Sequence, residues 1–525
     1  MNFKKTIISW GPYLFLGIFS FFINYWTGSR GVFSIDTFVH FDSAVRILKH
    51  ELPIRDFWIV HGLFVDYIQA FLFKIFGINW KAYIIHGSIF NLVITIFSFK
   101  VFREFEIEKL HAFLLSISIS ILAYPVSGTP FLDLHSAFFS LISMYLILLF
   151  VKKGVSIKLF SAIIFLGLAF FSKQVPAGYF ILLVSLFLFF YSYQIKSFKP
   201  IIISFFALLF FIGIILIYLF LTQTNIKDFF LQLFIFPKEI GESRLGTYSL
   251  NLKNVFLNFK FIYFFLIPII IIFVKKLFDR SFKSKKEISY FLILISFSIS
   301  LMFHQIYTKN QIFIFFLIPI LCAFLLYFLQ DQKIKHKKYY SHFIVFFCLV
   351  ITLKYHIRYN EERKFHELFN TNINQAIEIN FQKDFFKGLK WITPYFENPE
   401  DELKIIEDFY IYIKKEKNKN ILITKYTFFS GLLNESVYTP SRTFDDISYP
   451  RLNSKYYNVY NEFFKRNIIK NKIENIFIFN PGFELTNDVL NNLVFNYLPK
   501  NCYELENLNV YTQKISLKKC KYLKD

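Results

Sequence analysis

The stretch of sequence that decides the fold is residues 200–222, PIIISFFALLFFIGIILIYLFLT. It carries no charged side chain, and a helix of this length crosses the hydrocarbon core of a bilayer. Similar runs recur along the 525 residues, which are 55% hydrophobic and 22% aromatic, with 76 Phe. The sequence therefore predicts a polytopic α-helical membrane protein.

Apolar runs of about 18–23 residues predict about eleven transmembrane helices. Basic residues collect in alternate loops, for example at 275–286 and 333–338, which by the positive-inside rule are cytoplasmic. The N-terminus is then cytoplasmic, and an odd number of spans puts the C-terminus on the outer side. The same loops account for much of the net charge of +22. Basic residues placed in this way indicate a role in membrane topology and in contact with anionic lipid rather than in binding nucleic acid. The predicted spans are 7–28, 82–102, 109–124, 133–151, 157–172, 176–193, 200–222, 255–274, 288–307, 311–330 and 340–356.

Two parts of the chain outside the membrane are large. The first outer loop covers about 29–81 and is the longest between spans. From 357 the composition becomes polar, and the short apolar runs Asn420–Thr424 and Ile473–Phe479 predict strands between helices. We expect a transmembrane domain at 1–356 and an extramembrane α/β domain at 357–525. Cys502 and Cys520 would pair if this end lies outside the cytoplasm.

The first outer loop is predicted to hold two short helices. In the first, from Asp36 to about Glu51, apolar residues recur at helical spacing and polar residues occupy another side. The second, from Gly62 to Phe76, is mostly apolar but too short to span, so we expect it to lie in the membrane interface.

Asp36, directly after the first span, is the first candidate for chemistry. A carboxylate near low-dielectric surroundings suits a general base that takes a proton from an attacking hydroxyl. The alternative is a helix N-cap, a position that Asp also favours. His40 and Asp42 follow in the same segment as auxiliary candidates. The three do not define a coordination geometry, so a divalent metal stays open.

Further charged residues fall at outer ends of the predicted spans. Asp133 is an acidic candidate, and Lys173 breaks the inside-positive pattern in a very short outer turn. A lysine at the membrane surface neutralises a phosphate or anchors its helix by snorkelling. Arg244 and Lys309, in other outer loops, are further candidates for binding a phosphate. The sequence lacks the G-x-x-x-x-G-K-[ST] phosphate loop, the G-x-S-x-G elbow and H-E-x-x-H.

This layout resembles the GT-C superfamily of membrane glycosyltransferases, and within it the bacterial protein-mannosyltransferase and aminoarabinose-transferase branch. The resemblance covers about residues 7–330. It is carried by Asp36 after the first span, the run from Ala44 through Leu48, Pro53, Arg55-Asp56-Phe57 and Tyr67 to Phe76-Gly77, the second acidic position Asp133, and Ser172-Lys173-Gln174, which is similar to a T-K-x turn of the family.

The resemblance implies an inverting transfer of a sugar from a polyprenyl-phosphate donor to a cell-envelope glycan, lipid or protein. The reaction would take place at the outer face of a bacterial cytoplasmic (inner) membrane, with no nucleotide-binding fold. Asp36 would be the catalytic carboxylate, Lys173 a contact to the donor phosphate and Asp133 an auxiliary residue. The C-terminal domain would help to hold the acceptor.

Two departures leave the sugar open. Asp36-Thr37 stands where many members have Asp-Glu, and His61-Gly62-Leu63 stands where a Gly-Pro is common. A carrier or flippase for lipid-linked sugars and an O-antigen-type polymerase are the alternatives. A carrier favours polar residues and broken helices at mid-membrane, whereas these span interiors are mostly Phe, Leu and Ile.

Overall fold

The computed structural model describes residues 3–32, 34–246, 251–282, 284–308, 311–333, 335–416, 418–444, 448–481 and 496–523. The helices are α1 Phe3–Gly28, α2 Ser34–Leu48, α3 Phe64–Phe76, α4 Trp80–Glu104, α5 Lys109–Leu122, α6 Leu132–Lys153, α7 Ser156–Phe170, α8 Gln174–Ile195, α9 Lys199–Thr222, α10 Ile226–Phe230, α11 Phe236–Gly246, α12 Leu252–Val255, α13 Lys260–Phe278, α14 Lys285–Thr308, α15 Leu317–Leu329, α16 Lys337–Tyr355, α17 Lys383–Phe386, α18 Pro399–Lys415, α19 Phe429–Leu433 and α20 Tyr457–Asn471. The strands are β1 Ile377–Glu378, β2 Lys390–Trp391, β3 Asn420–Thr424, β4 Asn475–Phe479, β5 Tyr503–Asn509 and β6 Thr512–Leu517.

The helical membrane class is confirmed. Within the described ranges, nine helical stretches are long and apolar enough to cross a membrane. They are Trp80–Glu104, Lys109–Val126, Leu132–Lys153, Gln174–Ile195, Lys199–Thr222, Leu252–Phe278, Lys285–Thr308, Ile312–Leu329 and Lys337–Glu361. The other two predicted spans correspond to α1 and to the shorter apolar helix α7, so the count of eleven is not confirmed.

The chain divides into two compact units, each built from three separate segments. The bundle unit contains Met1–Gly28, Ile84–Ile217 and Arg244–Arg363. The loop unit contains Ser29–Tyr83, Tyr218–Ser243 and Lys364–Asp525. The first outer loop thus packs in one unit with the C-terminal region.

In the bundle unit, α6 is the central helix. Its side chains are buried almost all round, which suits a segment that is apolar on every face. By contrast, α9 exposes large apolar side chains along most of its length, including Phe205, Phe206 and Leu209. Exposed apolar surface on this scale fits a lipid environment.

The loop unit contains a four-stranded sheet in the order β3–β4–β6–β5. β3 and β4 are parallel, whereas β6 pairs antiparallel with both β4 and β5. Every residue of β4 is buried, as expected of an uninterrupted apolar run at the centre of a sheet. The two strands predicted from sequence are both present, as β3 and β4.

A hydrophobic core joins the three segments of the loop unit. Trp58 of the first loop and Phe236 of the middle segment pack in one buried cluster with Ile421, Tyr460 and Phe463 of the C-terminal region. Cys502 and Cys520 form a disulfide that joins the residues before β5 and after β6. The loop unit is therefore held together by non-local burial and by one covalent link.

Candidate functional site

Asp36 lies in the first turn of α2, as its third residue, rather than at the position before the helix. A negative charge there is favoured by the helix dipole. Its side chain is partly exposed. Asp36 is therefore a partly exposed carboxylate in the first turn of a short helix.

His40 lies one turn after Asp36 but is buried, with 1% of its surface exposed. Its Nδ1 lies 2.6 Å from Oδ1 of Asp66, which belongs to α3 and is fully buried. Burial lowers the pKa of His40, although the contact with Asp66 acts in the opposite direction. Arg442 of the C-terminal region forms an ion pair with the second oxygen of Asp66. His40 thus belongs to a buried junction between α2, α3 and the C-terminal region.

Asp42 points away from His40 and into a second buried contact. Its Oδ1 accepts a hydrogen bond of 2.5 Å from the Ser430 hydroxyl of α19. Its Oδ2 lies 3.9 Å from the guanidinium of Arg46, one turn further along α2. Burial raises the pKa of Asp42 to about 6, while the charge of Arg46 lowers it. Asp42 is only 4% exposed, so a bulky substrate cannot reach it directly.

Arg46 completes this series along α2. Its guanidinium donates to Glu51 at 2.8 Å and to the backbone oxygen of Thr439 at 2.7 Å. Arg46 is fully buried, and its guanidinium also lies 4.0 Å from the centre of the Phe57 ring. Burial removes the guanidinium from water, and these partners compensate for the lost hydration.

The bundle unit contains a second polar group, formed by residues from three different helix ends. Lys173, directly before α8, donates from Nζ to Oδ2 of Asp133 at 2.7 Å. His304, in the last turn of α14, places Nε2 3.0 Å from Oδ1 of the same carboxylate. Asp133 is 5% exposed, and the Lys173 side chain is 12% exposed. Asp133 therefore holds a partly accessible ammonium group and an imidazole.

A chain of hydrogen bonds lies within the same unit. His135 of α6 contacts Nε2 of His86 at 2.9 Å through its own Nε2, and the Tyr124 hydroxyl at 2.8 Å through Nδ1. All three residues are fully buried. These contacts fix the start of α6, the helix that carries Asp133 in its first turn.

The structure thus brings some predicted site residues together and leaves others aside. Asp133 and Lys173 are in contact, whereas His40 and Asp42 are buried in different contacts on α2. Arg244 lies in α11, but its side chain is outside the described part of the chain, and Lys309 lies outside the described residues. Among the residues that the structure describes, no group of three or more His, Cys, Asp or Glu could hold a metal ion.

Sequence reasoning missed two partners. His304 stands out in sequence as an ionisable residue at the end of a predicted span, but nothing local links it to Asp133, 171 residues earlier. Arg442 lies in a polar region where an arginine is unremarkable. Its contact with Asp66 spans 376 residues. Only the tertiary structure identifies these pairs.

Residues 60–218 match the family model of dolichyl-phosphate-mannose-protein mannosyltransferase. The chain resembles the GT-C membrane glycosyltransferases. The matched stretch contains Asp133 and Lys173 and begins after Asp36. No curated protein matches the chain.

Two solved structures are similar to this GT-C-like chain over most of its length. ArnT from Cupriavidus metallidurans, bound to undecaprenyl phosphate, is 10% identical, with 98% of each chain covered and a TM-score of 0.49. The oligosaccharyltransferase AglB from Archaeoglobus fulgidus, in complex with an inhibitory peptide and a dolichol-phosphate, is 12% identical. That comparison covers 91% of this chain and 70% of AglB, with a TM-score of 0.47.

Proposed function

We propose that the protein is an inverting glycosyltransferase that moves a sugar from a polyprenyl-phosphate donor to a cell-envelope glycan, lipid or protein. The observation that carries the proposal is the difference in exposure to solvent among the acidic and histidine side chains of α2. His40 and Asp42 are buried, with at most 4% of their surface exposed, whereas Asp36 is partly exposed in the first turn of the helix. The family match at residues 60–218 supports the reaction class.

In this mechanism Asp36 acts as the general base. Its carboxylate takes the proton of an acceptor hydroxyl as the oxygen attacks the anomeric carbon of the sugar. The bond between that carbon and the phosphate oxygen breaks, and polyprenyl phosphate leaves with the bonding electrons. Attack from the side opposite the leaving group inverts the anomeric configuration. The step needs a positioned carboxylate and neutralisation of the phosphate charge, and no residue must form a covalent intermediate.

Lys173 is proposed to neutralise the donor phosphate. Its ammonium is partly accessible and is held by Asp133, which also engages His304. A charge-assisted hydrogen bond from lysine to phosphate is short and stronger than a neutral one. Asp133 and His304 would then keep the ammonium oriented when no donor is bound.

The proposed location is the outer face of a cytoplasmic membrane, with the N-terminus cytoplasmic. The disulfide between Cys502 and Cys520 supports an oxidising compartment for the C-terminal region. The basic loops at 275–286 and 333–338 support the cytoplasmic side for the ends of the spans that they join.

The deciding experiment is transfer of a radiolabelled sugar from polyprenyl-phosphate donors, comparing wild type and Asp36→Asn at matched expression in membranes. The amide keeps the size of the side chain but cannot accept the proton, so we expect transfer to fall by about 10²–10⁴-fold while donor binding is retained. Asp401→Asn, an exposed carboxylate of α18, is the control and should keep full transfer. Equal transfer by wild type and Asp36→Asn would remove Asp36 from the mechanism. The alternative of a carrier for lipid-linked sugars would then have to be tested.

A second comparison tests the phosphate contact. Lys173→Gln should raise the KM for the donor by about tenfold, the loss of one charge-assisted hydrogen bond. Lys153→Gln is the control. Lys153 lies at the end of α6 opposite to Asp133, is more exposed than Lys173 and pairs with Glu104, so this variant should leave the KM for the donor unchanged. An unchanged KM in Lys173→Gln would exclude Lys173 as a donor contact.

A further inference from the structure

The helix that carries Asp36 is held along its length by the C-terminal region. Ser430 binds Asp42, and the backbone oxygen of Thr439 accepts a hydrogen bond from Arg46. The third contact is indirect, because Arg442 binds Asp66, which in turn holds His40. These contacts to the C-terminal region join residues that are 376 to 393 positions apart.

All of these side chains are withdrawn from water. Ser430 and Asp66 have no exposed surface, and Arg442 is 4% exposed. In such low-dielectric surroundings a hydrogen bond or ion pair is stronger than at the surface, and an unpaired partner is costly. The contacts therefore allow α2 little freedom to shift without breaking several of them together.

Close backbone packing reinforces these polar contacts. Gly431 follows Ser430 in α19, and a Cβ atom at this position would lie 2.6 Å from the Phe41 ring of α2. A methyl group cannot be accommodated at that distance without movement. Glycine thus lets α19 approach α2 closely enough for the Ser430 hydroxyl to reach Asp42.

We propose that Ser430 and Arg442 are positioning residues of the transferase, which fix α2 and through it the carboxylate of Asp36. This inference rests on the proposed function, because it assigns the C-terminal region a part in the same site. Asp36 and His40 are one helical turn apart, so they share a face of α2. Holding His40 and Asp42 therefore sets both the rotation and the translation of the turn that carries Asp36.

The expected consequence is kinetic. A general base must lie within hydrogen-bond reach of the proton that it takes, and a displacement of about 1 Å costs about 10²-fold in rate. Releasing one contact should therefore lower kcat by about tenfold. The KM for the donor should not change, because none of these side chains is a proposed phosphate contact.

The test compares Ser430→Ala with Thr393→Val in the full-length protein in nanodiscs. Thr393 is similarly buried in the C-terminal region, but its hydroxyl donates to Glu402 of α18 rather than to α2. Both variants lose a buried hydrogen bond that a hydroxyl donates to a carboxylate, and Thr393→Val also loses a longer one of 3.3 Å from the Tyr395 amide, so a general loss of stability affects both. Hydrogen exchange of the α2 amides and steady-state transfer kinetics are measured on the same samples.

We expect Ser430→Ala to speed the exchange of α2 amides by about fivefold or more and to lower kcat at unchanged KM, with neither effect in Thr393→Val. Exchange in α2 that is the same in both variants would overturn the proposal. Faster exchange with an unchanged kcat would also overturn the positioning role. If wild type shows no transfer with any donor, the proposed function fails on that result, and the exchange data still decide whether Ser430 orders α2.

Discussion

The ion pair between Asp66 and Arg442 provides a quantitative test of the buried junction in the loop unit. In Arg442→Met the Asp66 carboxylate stays fully buried and keeps its contact with His40. Removing one member of a buried pair costs about 3–5 kcal/mol. For a unit of this size, each kcal/mol shifts the melting temperature by about 2–4 °C, so we expect a decrease of about 10 °C.

The double variant Asp66→Asn/Arg442→Met removes both charges. The amide oxygen that replaces the carboxylate in this variant can still accept a hydrogen bond from His40, so we expect about half of the lost stability to return. The double variant should then be less destabilised than the sum of the two single variants, with a coupling free energy of at least about 2 kcal/mol in the double-mutant cycle. Thermal unfolding followed by tryptophan fluorescence is a suitable assay, because Trp58 lies in the core of the loop unit. A decrease below about 3 °C in Arg442→Met, or additive single effects, would refute the reasoning.

Three further outcomes are expected. Because burial raises the pKa of Asp42 to about 6, the folded protein binds this proton more tightly than the unfolded chain, so the Asp42 carboxyl lowers the free energy of unfolding by about 2 kcal/mol as pH rises from about 4 to 6. Relative to wild type, Asp42→Asn should gain stability over that range in chemical denaturation, and parallel curves of the free energy of unfolding against pH would contradict this. Gly431→Ala should lower the melting temperature, whereas Gly213→Ala, where nothing lies within 4 Å of a Cβ, should not; equal melting temperatures would contradict the close packing. Cys502→Ser removes the disulfide between residues 18 positions apart and should lower the free energy of unfolding by about 2–3 kcal/mol under non-reducing conditions. Adding a reductant should have no further effect on the stability of the variant.

Local patterns in the sequence predict much of this fold. Strand β3 spans the predicted Asn420–Thr424, and α3 falls within the predicted Gly62–Phe76, because apolar runs and their polar boundaries are local signals. Helix α2 begins two residues before the predicted start at Asp36 and ends at Leu48 rather than near Glu51. Helix ends depend on tertiary contacts as well as on propensity, so such offsets are expected.

The candidate site could be predicted residue by residue but not as an arrangement. Asp133 and Lys173 stand out in sequence because a charge at the end of a span is unusual. Their contact, and that of Asp133 with His304, depends on how three helices pack, which no local periodicity encodes. The contact made by Asp42 is similarly absent from local sequence, because its partner Ser430 is 388 residues away.

The three-segment composition of the loop unit has a consequence for biosynthesis. Ser29–Tyr83 emerges from the ribosome early, yet its partners in Lys364–Asp525 are the last part of the chain to be made. Until then Asp66 and Arg46 have no C-terminal partners, and Trp58 lacks most of its core. The first loop therefore lacks these contacts while the intervening helices enter the membrane. Nascent chains that stall before Lys364 should thus be the form of the protein that quality-control proteases recognise.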